Sequence, residues 1–150
     1  MSEREQPWSD QPSAQGRILV LTDNPISRAI QTIAKAVGRE VVLQAADDGG
    51  PGFEPRADDA VVLCDHDAPD APAVLRAALC SEASYVAMMA SRRRATAVLA
   101  ELDDEGVDVS TLHVPAGHNL GGKGPGEIAL SVVAEIVAES YDRPGGPLRR

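Results

Sequence analysis

Aromatic residues are nearly missing from this 150-residue chain, which holds one Trp, two Tyr and one Phe, 3% of its residues. A core must therefore come from Val, Ile, Leu and Ala, and the 43% of hydrophobic residues is enough for a globular domain. Cysteine is scarce too. Cys64 and Cys80 are too few and too far apart for a disulfide framework or a zinc knuckle, so both read as reduced thiols in or near the core of a cytoplasmic protein. No apolar run approaches the ~20 residues of a membrane span, and the polar stretch Met1 to Gly16 lacks the apolar segment of a secretion signal. Basic charge is in deficit, with 14 Lys and Arg against 23 Asp and Glu and a formal net charge of −9. Such an acidic field repels phosphate backbones and anionic headgroups, which argues against general nucleic-acid or membrane binding. No Ser-His-Asp order, P-loop or zinc spacing is present. The lack of an identifiable nucleophile or general base argues against a hydrolase.

What is there suits one domain. Residues 1–15 carry two prolines, almost no aliphatics and the only Trp, Trp8, and are expected to be a disordered tail. Residues 141–150 contain Pro144, Gly145, Gly146 and Pro147 and are expected to be flexible. Between them, over 16–140, short apolar runs alternate with helical patterns. Arg17–Leu21 reads as a buried strand. Ile26, Ala29, Ile30, Ile33, Ala34 and Val37 then mark one helix face, which Gly38 stops. Val41–Leu43 is a second strand, and a loop rich in Gly and Asp leads to a third, Ala60–Cys64. Pro72 opens a helix through Leu79, Tyr85–Met89 is a fourth strand, and Ala95, Val98, Leu99 and Leu102 give a further helix face. Leu112–Val114 is a short fifth strand. Pro125 opens the last helix, with Ile128, Val132, Val133, Ile136 and Val137 turned inward. Strands that are apolar throughout belong in a parallel sheet covered on both faces, and helices of this length between them make right-handed crossovers. The expected fold is α/β, a doubly wound parallel sheet of about five strands with helices on both faces.

Ligands of such sheets bind outside the carboxyl ends of the strands, here the segments Thr22–Ser27, Asp65–Asp70, Ala90–Arg94 and Pro115–Lys123. Pro115-Ala-Gly-His-Asn-Leu-Gly-Gly-Lys-Gly-Pro-Gly-Glu-Ile-Ala-Leu-Ser131 resembles the C-terminal Rossmann domain of the xanthine dehydrogenase accessory (XdhC/CoxI) family, whose pattern there is approximately PVGLDIGARTPEEIALS. Tyr85-Val-Ala-Met-Met-Ala-Ser-Arg-Arg93 is similar to its YVGALGSRR, and His66-Asp67 to its T-H-D loop. The likeness spans roughly residues 17–138. It implies an accessory role in maturing a molybdenum-cofactor hydroxylase such as xanthine or carbon monoxide dehydrogenase, with a subunit of that enzyme as partner. A homodimer is left open. Family members usually carry an N-terminal domain with a Cys-Gly-Gly motif. This chain has neither the motif nor room for that domain, so it would act as a detached or regulatory piece.

The first turn departs from the family, whose G-A-G-H-V-G/A reads here Thr22-Asp-Asn-Pro-Ile-Ser27. Side chains thus occupy positions 22, 24 and 27, where glycines would let a diphosphate reach the backbone amides. Asn24 reads as a helix N-cap and Pro25 as a first helical residue without an N–H. Asp23 adds negative charge. At the tip of the second strand Ala45 stands where an acid would hold the ribose, with Asp47 and Asp48 just beyond. These changes argue against NAD(P) and leave the cofactor open, a molybdopterin-type or other anionic nucleotide ligand being one candidate.

Three groups of residues remain as candidates. Ser91, Arg92, Arg93 and Arg94 start a helix, where positive charge opposes the macrodipole. An anion bound there would offset that cost, and solvated arginines would equally account for it. Asp65, His66 and Asp67 follow the third strand. They suit proton transfer or a metal, or else a capped strand-end turn, the preferred reading. No metal site and no catalytic residue is assigned. Gly117, Gly121, Gly122 and Gly124 surround His118, Asn119 and Lys123, a loop whose amides and lysine suit an anion. His113, inside the fifth strand, reads as structural. The cofactor-binding expectation is therefore Ser91, Arg92, Arg93, His66, Asp67, Gly117, His118, Asn119, Gly121, Gly122 and Lys123, with binding and hand-over in place of turnover. The alternatives are a degenerate domain kept for protein interaction or dimerisation, and an atypical NAD(P)-dependent oxidoreductase.

Overall fold

Five runs of apolar residues, β1 (Ile18–Leu21), β2 (Val41–Gln44), β3 (Ala60–Leu63), β4 (Tyr85–Met88) and β5 (Leu112–His113), form one sheet in the order β2-β1-β3-β4-β5. The structure is a computed structural model that describes Trp8 and residues 16–44, 54–65 and 71–149. All four pairings are parallel, with Ile18 opposite both Val41 and Ala60, Ala60 opposite Tyr85, and Val86 opposite Leu112. The helices are α1 (Pro25–Val37), α2 (Ala71–Leu79), α3 (Arg92–Asp104) and α4 (Pro125–Ser140). The expected doubly wound sheet is the one observed. The expected tail 1–15 other than Trp8, together with Ala45, Asp47, Asp48, His66 and Asp67, lies outside the described residues.

The unbroken apolar character of the strands has a direct cause in the layers. Successive side chains point to opposite faces, and each face is covered. Ile18, Val20, Ala60, Val62, Tyr85 and Ala87 pack with Ile30 and Ala34 of α1 and Val132, Val133 and Ile136 of α4. Leu19, Leu21, Val61, Leu63, Val86 and Met88 pack with Leu75 and Ala78 of α2 and Val98 and Leu102 of α3. Each Val, Leu, Ile or Met among them, wholly withdrawn from water, contributes about 1.5–3 kcal/mol relative to exposure. With almost no aromatics, the two aliphatic layers carry the fold.

At the amino edge of the sheet, Arg17 and Asp59 fasten the starts of β1 and β3. Arg17 Nη2 lies 2.7 Å from Asp59 Oδ2, and the Arg17 and Arg56 N–H groups donate to the same carboxylate at 2.9 and 2.8 Å. Burial pushes the Asp59 carboxyl up, but these bonds outweigh it and hold its pKa below the ordinary value. The carboxyl edge, opposite, is left open for a site.

Candidate functional site

From β1 the chain crosses outward to β2, then returns past β1 to β3, so the winding reverses between β1 and β3. Ligands of such sheets enter at that reversal, outside the strand tips. Here the entrance is tied shut by a side chain. Asn24 Oδ1 accepts from Ser27 N at 2.9 Å while Ser27 Oγ accepts from Asn24 N at 2.8 Å, a reciprocal capping box. Asn24 Nδ2 also donates to the Cys64 carbonyl at the end of β3, 3.1 Å away. The expected cap is present, and it doubles as a staple across the crevice. Few amides remain for a diphosphate, since Pro25 has no N–H, Ser27 N bonds Asn24 Oδ1 and Arg28 N bonds Asn24 O. Asp23 pairs with Arg28 at 2.9 Å. Thr22 keeps φ 76°, a left-handed conformation unfavourable for a β-branched residue, at the first of the three positions where the glycine pattern would fall.

Open space lies instead along residues 115–124, which connect β5 to α4. A cleft of about 370 Å³ opens toward α1 and α4, lined by Ile26, Met89, Ala90, His118, Asn119 and Lys123 among others. A second, of about 490 Å³, opens toward α3, where Arg92, Thr96 and Leu99 face Gly117, His118 and Asn119. Pro115, Ala116, His118 and Asn119 line both, so this stretch is a partition between the two.

A carboxylate holds the partition from beneath. Glu135 Oε1, on α4, accepts from Tyr85 Oη at 2.6 Å and from Gly117 N at 3.1 Å, and lies 3.5 Å from His113 Nδ1. The Tyr85 and His113 rings stack with centroids 4.4 Å apart. Burial pushes the Glu135 carboxyl up, but the bonds from His113, Tyr85 and Gly117 outweigh it and bring its pKa down to about 2. The same contact raises the His113 pKa against the opposing effect of burial. Burial, and then Glu135, push the Tyr85 phenol well above its ordinary value. Gly117, at φ 98°, packs so tightly on α4 that a Cβ would overlap Ser131 Oγ. His118 N donates to Ser131 O at 3.2 Å. The loop is thus anchored along one side of α4 and free to face ligands on the other.

Comparison with known proteins places this arrangement. The family described as the XdhC Rossmann domain matches residues 18–136, from the first residue of β1 to the penultimate turn of α4. The chain belongs to this XdhC family. The YqeB protein of Escherichia coli (strain K12) is 39% identical to it over 66 residues, 42% of this chain and 12% of that protein. A crystal structure from Bacillus halodurans, described as a xanthine dehydrogenase, superposes with a TM-score of 0.71 at 22% identity, a likeness of fold. It covers 86% of this chain and 44% of the other, so the chain spans less than half the length of either relative.

Within the XdhC domain the expected site residues divide between the two clefts. His118, Asn119, Gly121, Gly122 and Lys123 line the first, whereas Arg92, Gly117, His118 and Asn119 line the second. Ser91 is spent as the N-cap of α3, accepting from Arg94 N at 3.1 Å. Arg93 is exposed and lines neither cleft. Among the described residues, no carboxylate pairs with Arg92 or Arg93, and none of their His, Cys, Asp and Glu side chains gather in threes as metal ligands would. His113 has the structural place expected of it. The reading from sequence missed Tyr85 and Glu135. Glu135 did carry a signal: an acid set between the inward-turned Val133 and Ile136 needs a partner inside the protein.

Proposed function

We propose that this XdhC domain is a binding and hand-over module in the maturation of a molybdenum-cofactor hydroxylase, gripping an anionic nucleotide or pterin-like group along residues 115–123. One observation supports this above the others. The dinucleotide entrance is stapled by Asn24, while the adjoining cleft is lined by a lysine, an amide side chain and two glycines. The donor set fits such a group. Lys123 is cationic, Asn119 can both donate to and accept from a heterocycle edge, and Ile26, Met89, Ala90 and Ile128 supply an apolar floor for a ring. No cysteine lines the cleft, so the group would be held by its organic part. Any redox chemistry would belong to the client enzyme. That enzyme's large subunit is the expected partner, and the family name and the Bacillus halodurans likeness both point that way. A cytoplasmic setting agrees with two free thiols, and no helix among the described residues is long and apolar enough to cross a membrane.

Thermal-shift titration with NAD, NADP, ATP and a pterin nucleotide tests this reading. A saturable rise with the pterin nucleotide that Lys123→Ala abolishes supports it. A rise with NAD on the unaltered protein overturns it in favour of an oxidoreductase. Absence of any response favours a protein-interaction module, a second reading that gains from Leu120 and Leu130, 55% and 48% exposed on the loop and on α4. Pull-down of the hydroxylase large subunit tests the partner directly.

A further inference from the structure

The residues after α4 turn back on the domain. Tyr141, Asp142 and Arg143 N–H groups donate to Ala138, Glu139 and Ala138 carbonyls at 3.1, 3.0 and 2.9 Å, and the chain then passes over His118. Gly145, at φ 82°, lies so close to the imidazole that a Cβ would overlap Nε2. Only glycine meets both conditions. The nitrogen it covers is buried and bonds to no described residue, although buried polar atoms are rarely left so. On the other side of the ring, Nδ1 is 3.9 Å from Glu135 Oε2, too far for a hydrogen bond. His118 nevertheless stands in the wall shared by both clefts. Residues 141–149 are exposed throughout, so little apolar burial holds them down and their opening is of low cost.

We propose that Pro144-Gly145-Gly146-Pro147 is a strap: seated, it seals His118 Nε2, and lifted, it frees that nitrogen to bond a polar group of the ligand between residues 115–123 and the helices. This rests on reading that loop as a ligand site and adds to it a means of regulation. Ligand and strap then compete for one imidazole. A strap seated in about nine molecules of ten weakens apparent affinity about ten-fold.

The intact chain serves for the test. Diethyl pyrocarbonate modification is followed at His118 and His113 by peptide mass spectrometry in the parent protein, in Gly145→Val, and in Gly146→Ala, where an added Cβ meets nothing within 4 Å. His118 should react about ten-fold faster in Gly145→Val than in the parent or in Gly146→Ala, with His113 unchanged. Equal His118 rates in the parent and Gly145→Val overturn the strap, whatever binds. Calorimetric titration with the pterin nucleotide reads the regulation separately. Tighter binding by Gly145→Val supports competition, and binding of equal strength by both proteins overturns it. If neither protein binds while only Gly145→Val exposes His118, the strap stands and the ligand reading falls.

Discussion

Asn24 joins two elements through one amide, and its two bonds can be separated by substitution. As an N-cap it satisfies the Ser27 N–H, a contribution of about 1 kcal/mol. Its Nδ2 bond to the Cys64 carbonyl crosses from the β1–α1 turn to the end of β3 and contributes about 1 kcal/mol more. Asn24→Ala loses both and should cost about 2 kcal/mol, lowering the melting temperature of a chain this long by about 4–8 °C. In urea the midpoint should fall by about 1 M, given a slope of about 2 kcal/mol per molar. Asn24→Ser keeps a short acceptor for the cap but cannot reach Cys64, so about half the loss should remain. Equilibrium urea unfolding of the three proteins, followed by far-ultraviolet circular dichroism, measures the ladder. If serine and alanine at this position are equally destabilising, the cap contributes nothing and the whole loss belongs to the bond across the crevice. If serine is as stable as asparagine, the staple contributes nothing and the entrance is not held shut by it.

Thr22→Gly should raise stability by about 0.5–1 kcal/mol, because relief of the left-handed strain exceeds the entropy cost of glycine; a lower urea midpoint would contradict the φ of 76°. The Glu135 carboxyl, at about 2 when folded against an ordinary 4.5, contributes stability that is present above about pH 4.5 and lost as pH falls toward 2. Glu135→Gln should therefore cost up to about 3 kcal/mol at neutral pH and flatten the acid side of a stability–pH profile. The raised His113 pKa acts in the opposite sense: its contribution is full below about pH 6.5 and fades as pH rises through the folded value, a slope that His113→Phe should remove. Burial holds the Cys64 thiol up at about 12, so in the native protein Ellman's reagent should titrate Cys80 alone and reach Cys64 only in denaturant.

Much of the fold is written locally. The strands are legible because a parallel strand buried on both faces has no polar positions to break its run, as Ala60–Leu63 shows. The start of α1 is legible because an N-cap is settled within four residues, and Asn24, Pro25 and Ser27 all lie inside that span. What could not be read is what the fold brings from afar. Asn24 and Cys64 are separated by 40 residues, and Tyr85 and Glu135 by 50. The place of Glu135 on its helix asks for a partner, but spacing and composition name neither that partner nor the one of Asn24. The division of the site is of the same kind. Arg92 and Lys123 look like parts of one anion-binding set along the chain, yet the loop between them faces one toward α3 and the other toward α1 and α4.

Because Pro115, Ala116, His118 and Asn119 border both chambers, neither can be reshaped privately. An occupant that shifts these four residues on the α3 side changes the fit on the α1 side, and thermodynamics makes the influence mutual: whatever free energy the first tenant adds to or subtracts from the second, the second returns in equal measure. For the hand-over role proposed above, such a common wall would let the arrival of one occupant loosen the other.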